Sequence, residues 1–360
     1  MIHVLLGTKA QLIKMAPVMR RMAERGVPYR YISTGQHRET VDDIHANFGI
    51  RPPDVLLHAG ADIVAIPQML RWAADILAKA RRGSDLLFAG DQRGIVLVHG
   101  DTFSTLLGAV LGRYAGLDIG HVESGLRSFK LHEPFPEELL RLAVFRLSHL
   151  SFCPGDWACG NLRRYKTIRI DTGANTLADA LAYARPAMEV VSPGLVPKHP
   201  FGIVTLHRFE NIRSRSSLAR TLGAVEQVAE HHRLLFILHP PTAMRLRRFG
   251  LYDVLERHPQ IELRPRHDYL DFMRLLNKAA LVVSDGGSNQ EECAYLGKPV
   301  LLLRNATERC EGLGDNVVLS RFDRATIAAF AAAPQHFAKA CAAPARRPSD
   351  IVIDACLDYC

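Results

Sequence analysis

The sequence contains no cysteine pair spaced C-x-x-C and no cysteine–histidine spacing typical of zinc. Its seven cysteines, Cys153, Cys159, Cys293, Cys310, Cys341, Cys356 and Cys360, are odd in number. That suits reduced thiols better than a disulfide framework. No apolar run approaches the roughly 18–20 residues that a membrane span requires. Neither G-x-G-x-x-G nor G-x-x-x-x-G-K-[ST] occurs, so dinucleotide-binding and P-loop assignments lose support. The first residues, Met1-Ile2-His3-Val4-Leu5-Leu6-Gly7, lack a basic region leading into a cleavable apolar stretch and read directly as a strand. These absences point to a cytoplasmic protein without membrane contact.

What is present is a chain of 360 residues, 48% hydrophobic and 23% charged, which is a globular composition with length for two domains. Lys and Arg number 45 against 37 Asp and Glu, a formal charge of +8 that suits an anionic ligand. The short basic clusters Arg245–Arg248, Lys79–Arg82 and Arg346–Arg347 carry no interleaved aromatics. They read as solvated helix faces, and nucleic acid is not the expected partner.

Short apolar runs alternate with helical patterns. The candidate strands are His3–Leu6, Tyr29–Ser33, Ile95–His99, Ile119–Val122, Leu150–Cys153 and Ile168–Ile170, then Ile203–Leu206, Leu234–Leu238, Ile261–Arg264, Leu281–Ser284, Val300–Leu303 and Val317–Leu319. Such alternation predicts parallel sheets covered on both faces. Tyr183–Pro200 carries Pro186, Pro193, Pro197 and Pro200, which predicts a linker and not a continuous helix. The expected division is residues 1–182 and 201–345 as two Rossmann-like α/β domains around a ligand cleft, with 183–200 between them. Residues 346–360 are expected to form a helix that packs back on the first domain.

Ligands of open α/β sheets sit beyond the carboxyl ends of strands, and the unusual polar clusters fall there. After the first strand comes Gly7-Thr8-Lys9-Ala10-Gln11, with Lys14 and Pro17 beyond it. Pro17 belongs in a helix's first turn, so the helix is expected to begin near Ala16 and the loop to offer free amides to an anion. Read alone, this is equally a tight connection with solvated lysines. Asp101, in His99-Gly100-Asp101-Thr102, could serve a site or cap the next helix. Glu123 ends a strand in His121-Val122-Glu123-Ser124-Gly125-Leu126-Arg127, and Glu137 opens a helix in Pro134-Phe135-Pro136-Glu137-Glu138. Three carboxylates at converging strand ends would raise one another's pKa and supply an acid and a base near neutral pH.

The second half opens with His207-Arg208, in which Arg grips phosphate and His can donate a proton. His239-Pro240-Pro241-Thr242 follows the next strand and is either a site or a rigid turn. In Asp285-Gly286-Gly287-Ser288-Asn289-Gln290-Glu291-Glu292 the glycines would let amides approach a pyrophosphate, and Glu291 or Glu292 would accept from ribose hydroxyls. A capped helix with acidic first-turn residues satisfies the same letters. Arg304 and Arg309 flank Asn305-Ala306-Thr307-Glu308.

Taken in order over Ile2 to Leu319, these motifs resemble the UDP-N-acetylglucosamine 2-epimerases, whose two-domain fold is shared with GT-B glycosyltransferases. The resemblance rests on His99-Gly-Asp-Thr102, His121-Val-Glu-x-Gly-Leu-Arg127, Pro136-Glu-Glu138, His207-Arg208, Gln290-Glu-Glu292, Leu296-Gly-Lys-Pro299 and Thr307-Glu-Arg309. It implies catalysis by Asp101, Glu123, Glu137 and His207. It further implies binding of a UDP-sugar through Lys14, Gly286, Gly287, Ser288, Glu292, Arg304 and Arg309, with no metal or redox cofactor, in a homodimer; the positions of Lys9, Arg208 and His239 at strand ends add them to the expected binding set. Lys9, Ala10 and Gln11 replace the family's usual Arg-Pro-Glu, which bears on the sugar's substituents more than on the chemistry. The implied reaction is epimerisation at C2 of a UDP-linked 2-acetamido sugar through UDP elimination to a glycal and re-addition. Alternatives are a hydrolysing 2-epimerase, a 2-epimerase of a modified diacetamido sugar, a glycosyltransferase and a non-catalytic nucleotide-sugar sensor.

Overall fold

Buried apolar strands separated by amphipathic helices give two parallel sheets, one in each of two units. The computed structural model describes residues 1–37, 41–63, 66–130, 136–190, 194–339, 342 and 344–359, with only the backbone of 66–67 and 79–86. Pro134, Phe135, Pro193, Cys341, Cys360 and the side chains of Lys79, Arg81 and Arg82 lie outside the described residues.

The first unit comprises Met1–Tyr183 and Pro344–Cys360, the second Ala184–Ala343. Strands of the first are β1 (Ile2–Leu6), β2 (Tyr29–Ser33), β3 (Val55–Leu56), β4 (Ile95–His99), β5 (Asp118–Val122), β6 (Leu150–Cys153) and β7 (Ile168–Asp171). They lie in the order β3-β2-β1-β4-β5-β6-β7, all parallel. The second unit has β8 (Gly202–Thr205), β9 (Leu234–Leu238), β10 (Ile261–Pro265), β11 (Leu281–Ser284), β12 (Val300–Leu302) and β13 (Val317–Leu319), ordered β10-β9-β8-β11-β12-β13 and again parallel. Both orders are Rossmann-like. Each reverses once, between β1 and β4 and between β8 and β11, and such a reversal opens a crevice at the strands' carboxyl ends.

Every residue of β1, β4 and β9 is buried, as a parallel strand covered on both faces requires. Leu5, Ile32, Val96, Val98 and Ile119 anchor the first core. Val204, Phe236, Leu281, Val283 and Leu301 anchor the second. The C-terminal helix Pro348–Leu357 packs on helix Lys9–Glu24, where Arg21 Nε donates to Asp350 at 3.0 Å and Arg25 to Asp354 at 2.6 Å.

Three local expectations are corrected. The first helix begins at Lys9 and not near Ala16, and it carries Pro17 in its interior. Thr8 and Gln11 form a capping box that starts it early, and burial of Met15, Ala16, Pro17, Val18 and Met19 outweighs the lost backbone bond at Pro17. Likewise helix Leu177–Glu189 runs through Pro186 into the expected linker, and the division between the units falls within it. Strand β3, only Val55–Leu56, is too short to leave a period-2 signal.

Candidate active site

In the first unit the polar groups gather at the carboxyl ends of β1, β4 and β5. The loop after β1 does not offer free amides. Gln11 Oε1 accepts from the N–H groups of Gly7 (2.9 Å) and Thr8 (3.0 Å), and Thr8 Oγ1 caps Gln11 N. Lys9 is the first helical residue and half-exposed, while Lys14 lies one turn deeper, buried, and its Nζ meets Glu123 Oε2.

Glu123 sits just past β5 with φ +62°, a left-handed backbone that costs a non-glycine residue about 1–2 kcal/mol. Its carboxylate fixes that conformation by taking bonds from Lys14 Nζ and Asn175 Nδ2. Gly125, at φ +85°, completes the turn, and a Cβ there would stand 2.3 Å from the Ala158 carbonyl oxygen. The turn is therefore clamped both to helix Lys9–Glu24 and to helix Asp156–Asn161.

Two histidines floor this cluster. His121 Nε2 lies 2.8 Å from Gly100 O, an acceptor only, so Nε2 carries the hydrogen and Nδ1 accepts from Ser124 Oγ at 3.0 Å. His99 Nε2 lies 3.6 Å from Glu123 Oε2. Burial lowers the pKa of His121 to about 4 and that of His99 to about 3, with Asp101 and Glu123 opposing the shift in both. Both are neutral at pH 7.

Asp101 follows β4 and binds Arg141 Nη2. Arg141 stands one turn after Glu137 on helix Glu137–Leu147 and also donates from Nη1 to Glu138 at 3.3 Å. Glu138 is fully buried and accepts from Arg127 Nε (2.5 Å) and Ser128 N (3.1 Å). Arg127, Glu138, Arg141 and Asp101 thus form one continuous ionic chain, with half-buried Glu137 at its helical end. The sequence suggested carboxylates left to repel one another. Here Glu123 and Asp101 each have their own cation, so the cluster is locally compensated.

In the second unit the cluster lies at the β8/β11 reversal. Asp285, fully buried, accepts from the N–H groups of His207 (3.0 Å) and Arg208 (3.1 Å) and from Asn211 Nδ2 (3.0 Å). It fixes the backbone that presents His207. The His207 ring lies 4.8 Å from that of His239, tilted by 41°, and His239 Nε2 contacts Thr205 Oγ1 at 3.1 Å. Protein crowding and then the charges of Arg208, Arg304 and Arg266 lower the His207 pKa to about 4. The free imidazole is therefore neutral at pH 7, so it carries one N–H to offer an anion and no second, acidic proton.

Helix Gly287–Leu296 begins directly after this strand. The Gly286 N–H goes to Ser284 Oγ at 3.0 Å, which leaves Gly287 and Ser288 to present first-turn amides. A Cβ on Gly286 would stand 2.8 Å from His207 Cε1, and one on Gly287 2.6 Å from Arg309 Nε. These close approaches, and not a positive φ, favour glycine at both positions, since a Cβ would displace the His207 or Arg309 side chain. Arg309 pairs with fully buried Glu291, which removes Glu291 as a ribose acceptor, while Glu292 accepts from Asn289 Nδ2 at 3.1 Å. Glu308 receives Arg304 (3.0 Å) and Arg208 (3.4 Å), and Arg304 Nη1 is buried without a hydrogen-bond partner among the described residues. Thr307 Oγ1 donates to Gln290 Oε1 at 2.9 Å, and Gln290 Nε2 donates to Glu311 O at 3.0 Å, pinning this loop to the helix. Arg208, Arg304 and Arg309 converge there on two carboxylates, and the surplus positive charge suits an anion. Among the described residues no group of three His, Cys, Asp or Glu side chains could hold a metal ion.

Sequence reading missed Asn175 and Arg141. Arg141 had a signal, since it lies four residues after Glu137 on one helical face. Asn175, in a loop after β7, had none.

Two Rossmann-like units, one with an acid–base cluster and one with an arginine-rich strand end, define a GT-B-like α/β enzyme. The chain belongs to the UDP-N-acetylglucosamine 2-epimerase family, whose model matches residues 20–348. The UDP-N-acetylglucosamine 2-epimerase of Yersinia pestis is 32% identical over 326 residues, covering 87% of this chain and 84% of its own. The Methanocaldococcus jannaschii UDP-GlcNAc 2-epimerase, solved in complex with UDP-GlcNAc and UDP, matches with TM-score 0.86 at 26% identity over 100% of this chain and 99% of that one. The Neisseria meningitidis enzyme bound to UDP-GlcNAc matches with TM-score 0.85 at 25% identity over 99% of each chain. No helix among the described residues is long and apolar enough to cross a membrane.

Proposed function

We propose that this protein interconverts UDP-N-acetylglucosamine and UDP-N-acetylmannosamine. The observation that carries the reading is the pairing of two chemistries at the two sheet reversals. An acid–base set of Asp101, Glu123 and Glu137 sits in one unit, and a cationic set of His207, Arg208, Arg304 and Arg309 in the other.

The C2–H of a 2-acetamido sugar is scarcely acidic, because no carbonyl carbon adjoins C2. Elimination avoids the difficulty. The C1–O bond to UDP breaks with its electron pair leaving on the phosphate, and the C2 proton passes to a carboxylate. A C1=C2 glycal forms. Reprotonation of C2 on the opposite face and return of UDP to C1 complete the inversion. The step needs a base near C2, an acid–base group on the other face, and cations where phosphate charge develops. Asp101, Glu123 and Glu137 supply the first two, and the second unit's arginines and the His207 N–H supply the third. We assign Lys14 to holding the Glu123 carboxylate, which its burial against that group supports. Glu292 and His239 are assigned to the nucleotide, and Lys9 to its periphery.

Incubation with UDP-N-acetylglucosamine, followed by proton and phosphorus NMR, tests this reading. Formation of UDP-N-acetylmannosamine with the diphosphate intact is expected. Free N-acetylmannosamine plus UDP would assign the hydrolysing reaction, and unchanged substrate would point to another sugar or to a sensor. The working assembly is taken as a cytoplasmic homodimer serving polysaccharide synthesis, as the family resemblance implies. A single-chain mass in sedimentation would remove the dimer.

A further inference from the structure

Adjoining the carboxylate cluster through Arg127, the first unit has a further cavity of about 490 Å³ lined by Arg127, Arg146, Asn161, Arg164, Tyr165 and Lys166. Its volume falls in the range of roughly 300–1,000 Å³ typical of small-molecule sites. Four segments build it: the turn after β5 that carries Arg127, the end of helix Glu137–Leu147, the end of helix Asp156–Asn161, and the loop leading to β7. We propose that this cavity binds a small polyanion of the diphosphate class.

Among the described residues no carboxylate pairs with Arg146, Arg164 or Lys166, so three cations converge on one cavity with nothing to neutralise them. Elsewhere in this unit converging cations are matched: Lys14 by Glu123, Arg141 by Asp101 and Glu138, Arg21 and Arg25 by Asp350. Arg127, Arg146, Asn161 and Tyr165 are also held in place, while Arg164 and Lys166 are exposed. Arg146 Nη1 donates to Leu142 O at 2.7 Å, and its guanidinium lies 5.6 Å over the Tyr165 ring, which abuts Phe145 edge-on at 5.4 Å. Asn161 Nδ2 donates to Gly125 O at 2.9 Å, and Arg127 Nε is fixed by Glu138. Arginines so anchored lose little freedom on gripping phosphate oxygens. An open pocket with one aromatic ring still differs from the extended basic stripe that nucleic acid tracks, so the fitting anion is small.

The inference does not depend on the epimerase reading. It is tested by titrating inorganic pyrophosphate calorimetrically into the full-length protein, for the wild type and for R146A/R164A. Both arginines are exposed, and equal thermal midpoints in the two proteins verify that the variant folds. One pyrophosphate per chain is expected to bind the wild type. Loss of two charge-assisted contacts weakens binding by about 100-fold in the variant, and added salt weakens it in the wild type. No pyrophosphate binding to the wild type, or equal affinity in the two proteins, would overturn the proposal. A UDP titration of both proteins reports separately on nucleotide binding, and the wild-type and variant comparison holds whichever way that falls.

Discussion

Replacing Lys14 with methionine removes one charge of a buried pair while keeping the length of the stem. The side chains of Lys14 and Glu123 are 3% and 5% exposed, so water supports neither charge. Removing one partner of such a pair costs about 3–5 kcal/mol, because the other charge stays buried. Asn175 still donates to Glu123, and a bond to a charged group is worth about 1.5–3 kcal/mol. The lower end follows, about 3 kcal/mol. Glu123→Gln, which strands the ammonium instead, should cost a similar amount. The double variant strands neither charge, so its loss should fall short of the two singles combined by at least about 2 kcal/mol. Urea denaturation followed by tryptophan fluorescence is the right assay, because Trp72 and Trp157, the only two tryptophans, both lie in the first unit. Strictly additive losses would refute the reasoning, since they would mean that Lys14 and Glu123 do not depend on each other.

Asp101→Asn and Glu137→Gln should each lower turnover by about 100-fold or more, with UDP affinity in calorimetry left intact; loss of UDP binding in both would give them binding roles. His207 should titrate near pH 4 in histidine NMR of the free protein, and UDP should raise that value through the diphosphate's negative charge; a titration indifferent to UDP would separate His207 from the nucleotide. His99 and His121, lowered to about 3 and 4, resist protonation only in the fold. Stability is therefore full above pH 6.5 and falls as pH drops below it, by about 3 kcal/mol for His121 alone once pH 4 is reached. A thermal midpoint flat from pH 7 to pH 4.5 would contradict this. Gly287→Ala should push Arg309 aside, since its Cβ would stand 2.6 Å from Arg309 Nε, and weaken UDP binding by about 10-fold, the effect of roughly 1.4 kcal/mol; unchanged affinity would remove Arg309 from the anion site.

Much of the fold was legible because parallel strands buried on both faces must be continuous apolar runs. β2, β4, β6, β9, β11 and β13 lie where the sequence put them, residue for residue. Proline misled twice for one reason. Pro17 and Pro186 each cost a backbone bond, but tertiary packing carries the helix past it, and packing is not written locally. The polar residues after strand ends were legible as candidates because a topological reversal collects them there. Their partners were not. Arg141 reaches Asp101 from 40 residues away and Asn175 reaches Glu123 from 52, and such pairings exist only once the sheet order is set. The neutrality of His207 was equally hidden, because burial, its main cause, exists only in the fold, and of the arginines that add to it only Arg208 is a sequence neighbour.

The central claim is that the C2–H bond breaks while UDP leaves and returns. Proton NMR of the protein turning over UDP-N-acetylglucosamine in D2O reads that directly. Deuterium should appear at C2 of the UDP-linked sugar with wild-type protein and not with Asp101→Asn. Epimerised UDP-sugar that keeps protium at C2 would contradict the account.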